Sequence, residues 1–148
     1  MGLRWINEYI YGLIEHCKSS DIYEIYNALN INIKKIPKHS LMIEDNEALY
    51  MRDYFNQETV FIKDNLDFQY EKFVLAHELG HAILHTEIYQ AAYNKNLINK
   101  GKLEKQADYF ALKLLNIEID SIDYEGYTIE QISKSLHVSE KSLEMYSY

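Results

Sequence analysis

A chain of 148 residues is long enough for one domain with a real core and too short for two comfortable ones. A hydrophobic fraction of 47%, with 14% aromatic residues and a single proline, excludes a disordered chain. The formal charge of −8 makes a phosphate backbone a poor partner and a basic protein surface a better one. Cys17 is the sole cysteine, so no internal disulfide can form, as suits a reducing cytoplasm. No apolar run approaches the roughly 18 residues of a membrane span. Glu8 and Glu15 interrupt the apolar N-terminal stretch, unlike a signal-peptide core. The expectation is one soluble, cytoplasmic domain over residues 1–148, without a membrane partner and without direct nucleic-acid binding.

Trp5, Ile6, Tyr9, Ile10, Leu13, Ile14 and Cys17 recur every three or four residues and predict an N-terminal amphipathic helix within residues 1–20. His16 and Cys17 are neighbours in sequence and do not share a helix face, so Cys17 is read as core and His16 as surface. Asp21 with Glu24 predicts a capped second helix with Ile22, Ile25, Tyr26 and Leu29 inward. Residues 31–36 alternate and stop at Pro37 as a strand would, and residues 48–54 and 58–66 predict two more strands joined near Phe55, Asn56 and Gln57. Val60, Phe61 and Ile62 are too continuous to show which face is buried. A small antiparallel sheet is the economical reading, and an edge strand of such a sheet can pair with an extended peptide. Residues 86–102 read as a polar loop with a helical turn over 89–93. Leu103, Ala107, Phe110, Ala111 and Leu114 mark another helix. Thr128 and Gln131 form a capping box that opens a C-terminal helical hairpin over 128–148, with Ile129, Ile132 and Leu136 in its first helix and Leu143 and Tyr146 inward in its second. The rhythm of 129–146 is that of half a helix-turn-helix unit, but Glu140 and Glu144 beside Lys141 make a poor recognition helix.

The stretch with chemistry is residues 73–85, which contain His77-Glu78-Leu79-Gly80-His81, an H-E-x-x-H pattern, and end on His85. At about 100° per residue the three histidines and Glu78 fall within one quadrant of a helix whose other faces are apolar. Such a helix is a core helix, so its polar stripe must be satisfied inside the protein. Histidines at i and i+4 can converge on one Zn²⁺, and Glu78 beside them can reach a water there, as in a zinc peptidase.

A catalytic zinc usually has three protein ligands. Glu104 is the first choice for the third, with Asp108 four residues on accepting a hydrogen bond from the free ring nitrogen of a zinc histidine. Asp108 as the direct ligand is the competing reading. Glu87 stands where the long pattern with a third histidine would place that ligand, but Leu84 replaces the glycine that turns the chain there, so Glu87 ranks below Glu104. His85 is read as packing or as a hydrogen-bond partner outside the ligand set. Tyr89, Tyr93 and His85 are the nearest candidates to stabilise an oxyanion.

The stretch from His77 to His85, followed by Glu104-Lys105-Gln106-Ala107-Asp108-Tyr109-Phe110-Ala111-Leu112-Lys113-Leu114-Leu115, resembles the ImmA/IrrE family of zinc metallopeptidases. In that family the second stretch typically runs E-x-E-A-(D or N)-x-F-A-x-x-L-L and is followed by Met-Pro. Here Gln106 replaces the second glutamate and Asn116-Ile117 replaces Met-Pro. The resemblance covers roughly residues 20–140 in element order, with its specificity in these two helices. It implies an α+β, helical zincin-like domain of gluzincin type, with the small antiparallel sheet packed beside the H-E-x-x-H helix. It further implies a zinc endopeptidase that cleaves a helix-turn-helix repressor and so derepresses a mobile element or prophage. The alternative is a zinc-containing anti-repressor that binds its protein partner without cutting it.

Overall fold

A computed structural model describes residues 2–87, 90–93, 101–116, 126 and 128–136. Helix α1 (Trp5–Cys17) buries Ile6, Ile10 and Leu13 and leaves Trp5 and Tyr9 at its exposed margin. Cys17 is half-buried against the core, and His16 is exposed. Helix α2 (Ile22–Ala28) opens on Asp21, whose side chain accepts from the Glu24 backbone at 3.0 Å. Glu24 does not reach back to the cap backbone. Ser19 stands between them, accepting from the Asp21 backbone and donating to Glu24, both at 3.0 Å.

Strands β1 (Asn32–Ile36), β2 (Ala48–Arg52), β3 (Glu58–Lys63) and β4 (Gln90–Tyr93) form one sheet in the order β1-β3-β2-β4. The β2-β3 pair is antiparallel as expected, but β1 runs parallel to β3, so the sheet is mixed. Alternation specifies a strand and not its partner. Residues 37–47 supply the reason: after Pro37 they fold into successive turns and anchor in the core through Ile43, which is fully buried. A connection of that kind carries β2 past β3 instead of returning it directly against β1. In the β2-β3 turn, Asn56 takes a left-handed conformation (φ 63°) and the Asp53 carboxylate accepts from the backbones of Phe55 and Gln57. Val60 and Ile62 face the core and Phe61 is half-buried, which resolves the ambiguity of that strand.

Residues 90–93 are a strand pairing antiparallel with β2, and not a helical turn. Gln-Ala-Ala-Tyr has no decisive period of its own, so its conformation is set by the sheet it joins.

Helix α3 (Phe68–Leu84) begins at Asp67, which accepts from the Gln69 backbone, and ends at His85, whose backbone donates to His81 at 2.9 Å. Every residue from Phe73 to His81 is buried. This helix packs against α1, α2, β2, β3, β4 and helix α4 (Lys102–Leu114), and so forms the centre of the core. Helix α4 buries Ala107, Phe110, Ala111 and Leu114, while Leu103 stays largely exposed. It ends through Asn116 in a left-handed conformation (φ 56°), the turn that asparagine tolerates best after glycine. Helix α5 (Ile129–Leu136) has the reciprocal box expected of Thr128 and Gln131, at 2.9 and 3.1 Å. The second helix of the expected hairpin lies outside the described residues. Among the described residues, no helix is long and apolar enough to cross a membrane.

Helices α3 and α4 approach each other closely at Gly80. A Cβ there would lie 3.1 Å from Ala107 Cα, 3.3 Å from Ala107 O and 3.3 Å from Phe110 Cβ. These atoms belong to a buried helix and cannot swing aside as a flexible side chain would. Gly80→Ala should therefore lose stability despite the better helix propensity of alanine, since overpacking costs about 1–3 kcal/mol against a propensity gain of up to about 1 kcal/mol. The urea midpoint should fall; an unchanged or higher midpoint would show that the helices separate at no cost.

Candidate metal centre

The polar stripe of α3 faces α4. Glu104 stands across from both histidines of the motif: its Oε2 lies 3.0 Å from His77 Nε2 and its Oε1 lies 3.0 Å from His81 Nε2. The ligand atoms of His77, His81 and Glu104 all lie within 4.8 Å of one another, so this group could hold a metal ion. Ligand atoms at about 2.0–2.1 Å from one tetrahedral metal ion are themselves a little over 3 Å apart, close to the 3.0 Å that separates Glu104 from each ring. Asp108 is not in that group. Its Oδ1 sits 2.7 Å from His77 Nδ1, on the other side of the ring, and both side chains are fully buried.

His81 is held from a third direction. Its Nδ1 is 2.9 Å from His85 Nδ1, and His85 Nε2 is 2.7 Å from Gln106 Oε1. Glu87 is exposed and takes no part in the cluster. Tyr89 and the side chain of Tyr93 lie outside the described residues, and His85 is engaged with its two neighbours.

Three buried atoms carry the fit to a cation. His81 Nε2 is buried and 3.0 Å from Glu104 but off the hydrogen-bond direction, and it has no well-aligned hydrogen-bond partner among the described residues. Glu78 is 0% exposed, and among the described residues neither of its carboxylate oxygens has a hydrogen-bond partner. A carboxylate left so is costly, and a cation or a water beside it would remove most of that cost.

The electrostatics agree. Burial works against a charged His77, but Asp108 and Glu104 on its two nitrogens outweigh it and raise the ring from 6.5 to about 10. Burial lowers His81. Burial would raise Glu104, yet its contacts with the two rings hold it well below the usual carboxylate range. Without a metal the site thus keeps a proton on His77, and a cation binding there would displace it. Glu78 is pushed up from 4.5 to about 8, first by burial, with Glu104 and Asp108 adding to the effect against the opposing pull of His77.

Two imidazoles and a carboxylate converging beside a buried, unpartnered glutamate form a site of the metal-dependent hydrolase class. Comparison with known proteins narrows that class. The Peptidase_M78 family model, described as the IrrE N-terminal-like domain, matches residues 28–146. The chain belongs to this ImmA/IrrE family of metallopeptidases. It is 30% identical over 138 residues to Metallopeptidase ImmA of Bacillus subtilis (strain 168), covering 90% of this chain and 78% of that protein. It is also 36% identical over 107 residues to Uncharacterized immunity region protein 2 of Bacillus phage phi105, covering 70% of this chain and 63% of the phage protein.

Three features of the site escaped sequence reasoning. Gln106 lies two residues from both Glu104 and Asp108, so helical period sets it on a different face from them, and nothing in its spacing marks it as a partner of His85. The close approach at Gly80 needs coordinates, as does the placement of β4 beside α3.

The state of Glu78 gives a pH-dependent test. Its carboxyl is raised in the folded, metal-free protein, so the stability it contributes is fully present below about pH 4.5 and is lost as pH rises towards about 8. Metal-free Glu78→Gln should melt close to wild type near pH 4.5 and clearly above it at pH 8. A gap that does not widen with pH would contradict a buried, unpaired carboxylate. Added divalent metal should narrow the gap, because a neighbouring cation favours the charged carboxylate.

Proposed function

We propose that this chain is a zinc-dependent endopeptidase in which His77, His81 and Glu104 hold the metal, Glu78 is the general base and Asp108 orients His77. The observation that carries this reading is the Glu78 carboxylate, fully buried and without a hydrogen-bond partner among the described residues, on the same helix face as His77 and His81. A structural metal staple has no use for such a group, whereas a hydrolase needs one beside its open position. Zn²⁺ bound there would lower the pKa of a coordinated water from about 15.7 towards 7 and polarise the scissile carbonyl.

The protein groups then have separate tasks. Glu78 takes the proton of the attacking water and passes it to the leaving amine. Asp108 accepts from His77 Nδ1–H, which leaves Nε2 of that ring with a lone pair. The apolar residues on the other faces of α3 keep bulk water out, so each of these interactions acts in a low-dielectric surrounding. Strand β4 lies beside α3 at the end of the sheet, where an extended peptide could add as a further strand.

The proposed substrate is a helix-turn-helix repressor in the cytoplasm, whose cleavage derepresses a mobile element or prophage. Support comes from the name of the phage relative, an immunity region protein, and from the net charge of −8, which suits a basic DNA-binding partner.

The test is incubation of the zinc-loaded chain with the repressor encoded beside its gene, with fragments identified by mass spectrometry. Wild type should give a defined cut, and Glu78→Gln should keep zinc while losing at least about 100-fold in rate, the contribution typical of a general base. If Glu78→Gln still inactivated the repressor at the wild-type rate, action by binding would replace action by cleavage.

A further inference from the structure

We propose that His85 and Gln106 are positioning residues: they form a hydrogen-bond relay with His81 that fixes the Nδ1–H tautomer of that ring and keeps its Nε2 lone pair free. The proposal rests on the reading of His77, His81 and Glu104 as metal ligands. It concerns how the second imidazole is held.

His81 Nδ1 and His85 Nδ1 face each other at 2.9 Å inside the protein, and two neutral rings in that arrangement share one hydrogen. If His85 carried it, His85 Nε2 would be bare and would need a donor, and His81 would carry its own hydrogen on Nε2. The partner of the far nitrogen selects the opposite direction. His85 Nε2 faces the Gln106 Oε1 at 2.7 Å, and that oxygen can only accept. The chain of donation therefore runs from His81 Nδ1–H to His85 Nδ1, and from His85 Nε2–H to Gln106 Oε1.

The relay runs from the end of α3 across to α4. His81 and His85 are one turn apart, so their rings share a face, and His85 sits at the C-terminal cap of α3, where the backbone leaves the helix. Gln106 is brought up from α4 and is itself 6% exposed, while His85 is 8% exposed. A buried amide on a core helix would be costly without its partner.

The two imidazoles are thus held in the same sense by unlike acceptors. His77 donates to a buried carboxylate, and His81 to a neutral ring backed by an amide. Hydrogen bonds to an ionised acceptor are roughly twice as strong as neutral ones, so His77 is the firmer support and His81 the more adjustable.

The experiment uses the full chain. Histidine ¹⁵N NMR of the zinc-loaded wild type reads which nitrogens carry protons. Competition with a chromophoric chelator gives the Zn²⁺ Kd for wild type, His85→Phe, Gln106→Leu and Gln106→Glu. The relay predicts His81 protonated at Nδ1 and His85 at Nε2. It predicts Zn²⁺ binding weaker by about 10–100-fold in His85→Phe and Gln106→Leu, the usual cost of losing a partner behind a metal ligand, and restored in Gln106→Glu, which keeps an acceptor. A wild type that binds no Zn²⁺ at one equivalent removes the ligand assignment itself. A zinc-binding wild type with a proton on His85 Nδ1, or a folded Gln106→Leu with wild-type affinity, overturns the relay and leaves the ligand assignment standing. Should Gln106→Leu fail to fold, the wild-type NMR decides alone.

Discussion

Helices α3 and α4 meet where Gly80 has no side chain, and a Cβ at that point would lie 3.1 Å from the backbone of Ala107. One turn before Ala107 in sequence stands Glu104, and immediately after it Asp108. The narrow gap therefore sets the reach of both carboxylates. A short acidic side chain arrives at the Nδ1 edge of His77 and a longer one at the Nε2 atoms of both rings. The rest of the fold supports this contact. Strands β2, β3 and β4 back one side of α3, and α1 and α2 cover others, leaving a single polar stripe directed at α4.

Such a stripe creates an electrostatic problem that the site resolves only in part. Asp108, fully buried, and Glu104, partly exposed, both stand against His77, the ring that burial does not keep neutral, so two carboxylates share one cation. Glu78 is left over, with its charge opposed by burial and by the two other carboxylates. A cation among His77, His81 and Glu104 would reverse that balance, displacing the proton of His77 and favouring ionised Glu78. The cluster is thus arranged less for the stability of the free chain than for a positive charge still to be supplied, the kind of local conflict expected at functional sites.

Much of this arrangement was legible in the sequence because helices announce themselves by period. The 3.6-residue repeat around residues 73–85 implied an inaccessible helix with one polar stripe, and Phe73 to His81 are all buried. The four-residue spacing of Glu104 and Asp108 implied that both project one way, and they flank the same ring. Sheet topology was harder to read. A strand's alternation is silent about its neighbours, so the parallel β1-β3 pair and the edge strand β4 required coordinates. Ile43 shows the same limit, since an isoleucine within a run of turns carries no periodic signal, yet it is wholly buried and anchors the segment that separates β1 from β2. Gln106 was hidden for another reason: its partner, His85, lies where α3 ends and the chain departs from helical projection.

The central claim is that two imidazoles from α3 and one carboxylate from α4 share a single cation. X-ray absorption at the zinc edge, on the chain loaded with one equivalent of Zn²⁺, addresses it most directly. The account predicts a nitrogen and oxygen shell at about 2.0–2.1 Å, outer scattering from two histidine rings and no sulfur. A shell of oxygen alone, or one with scattering from a single ring, would contradict it.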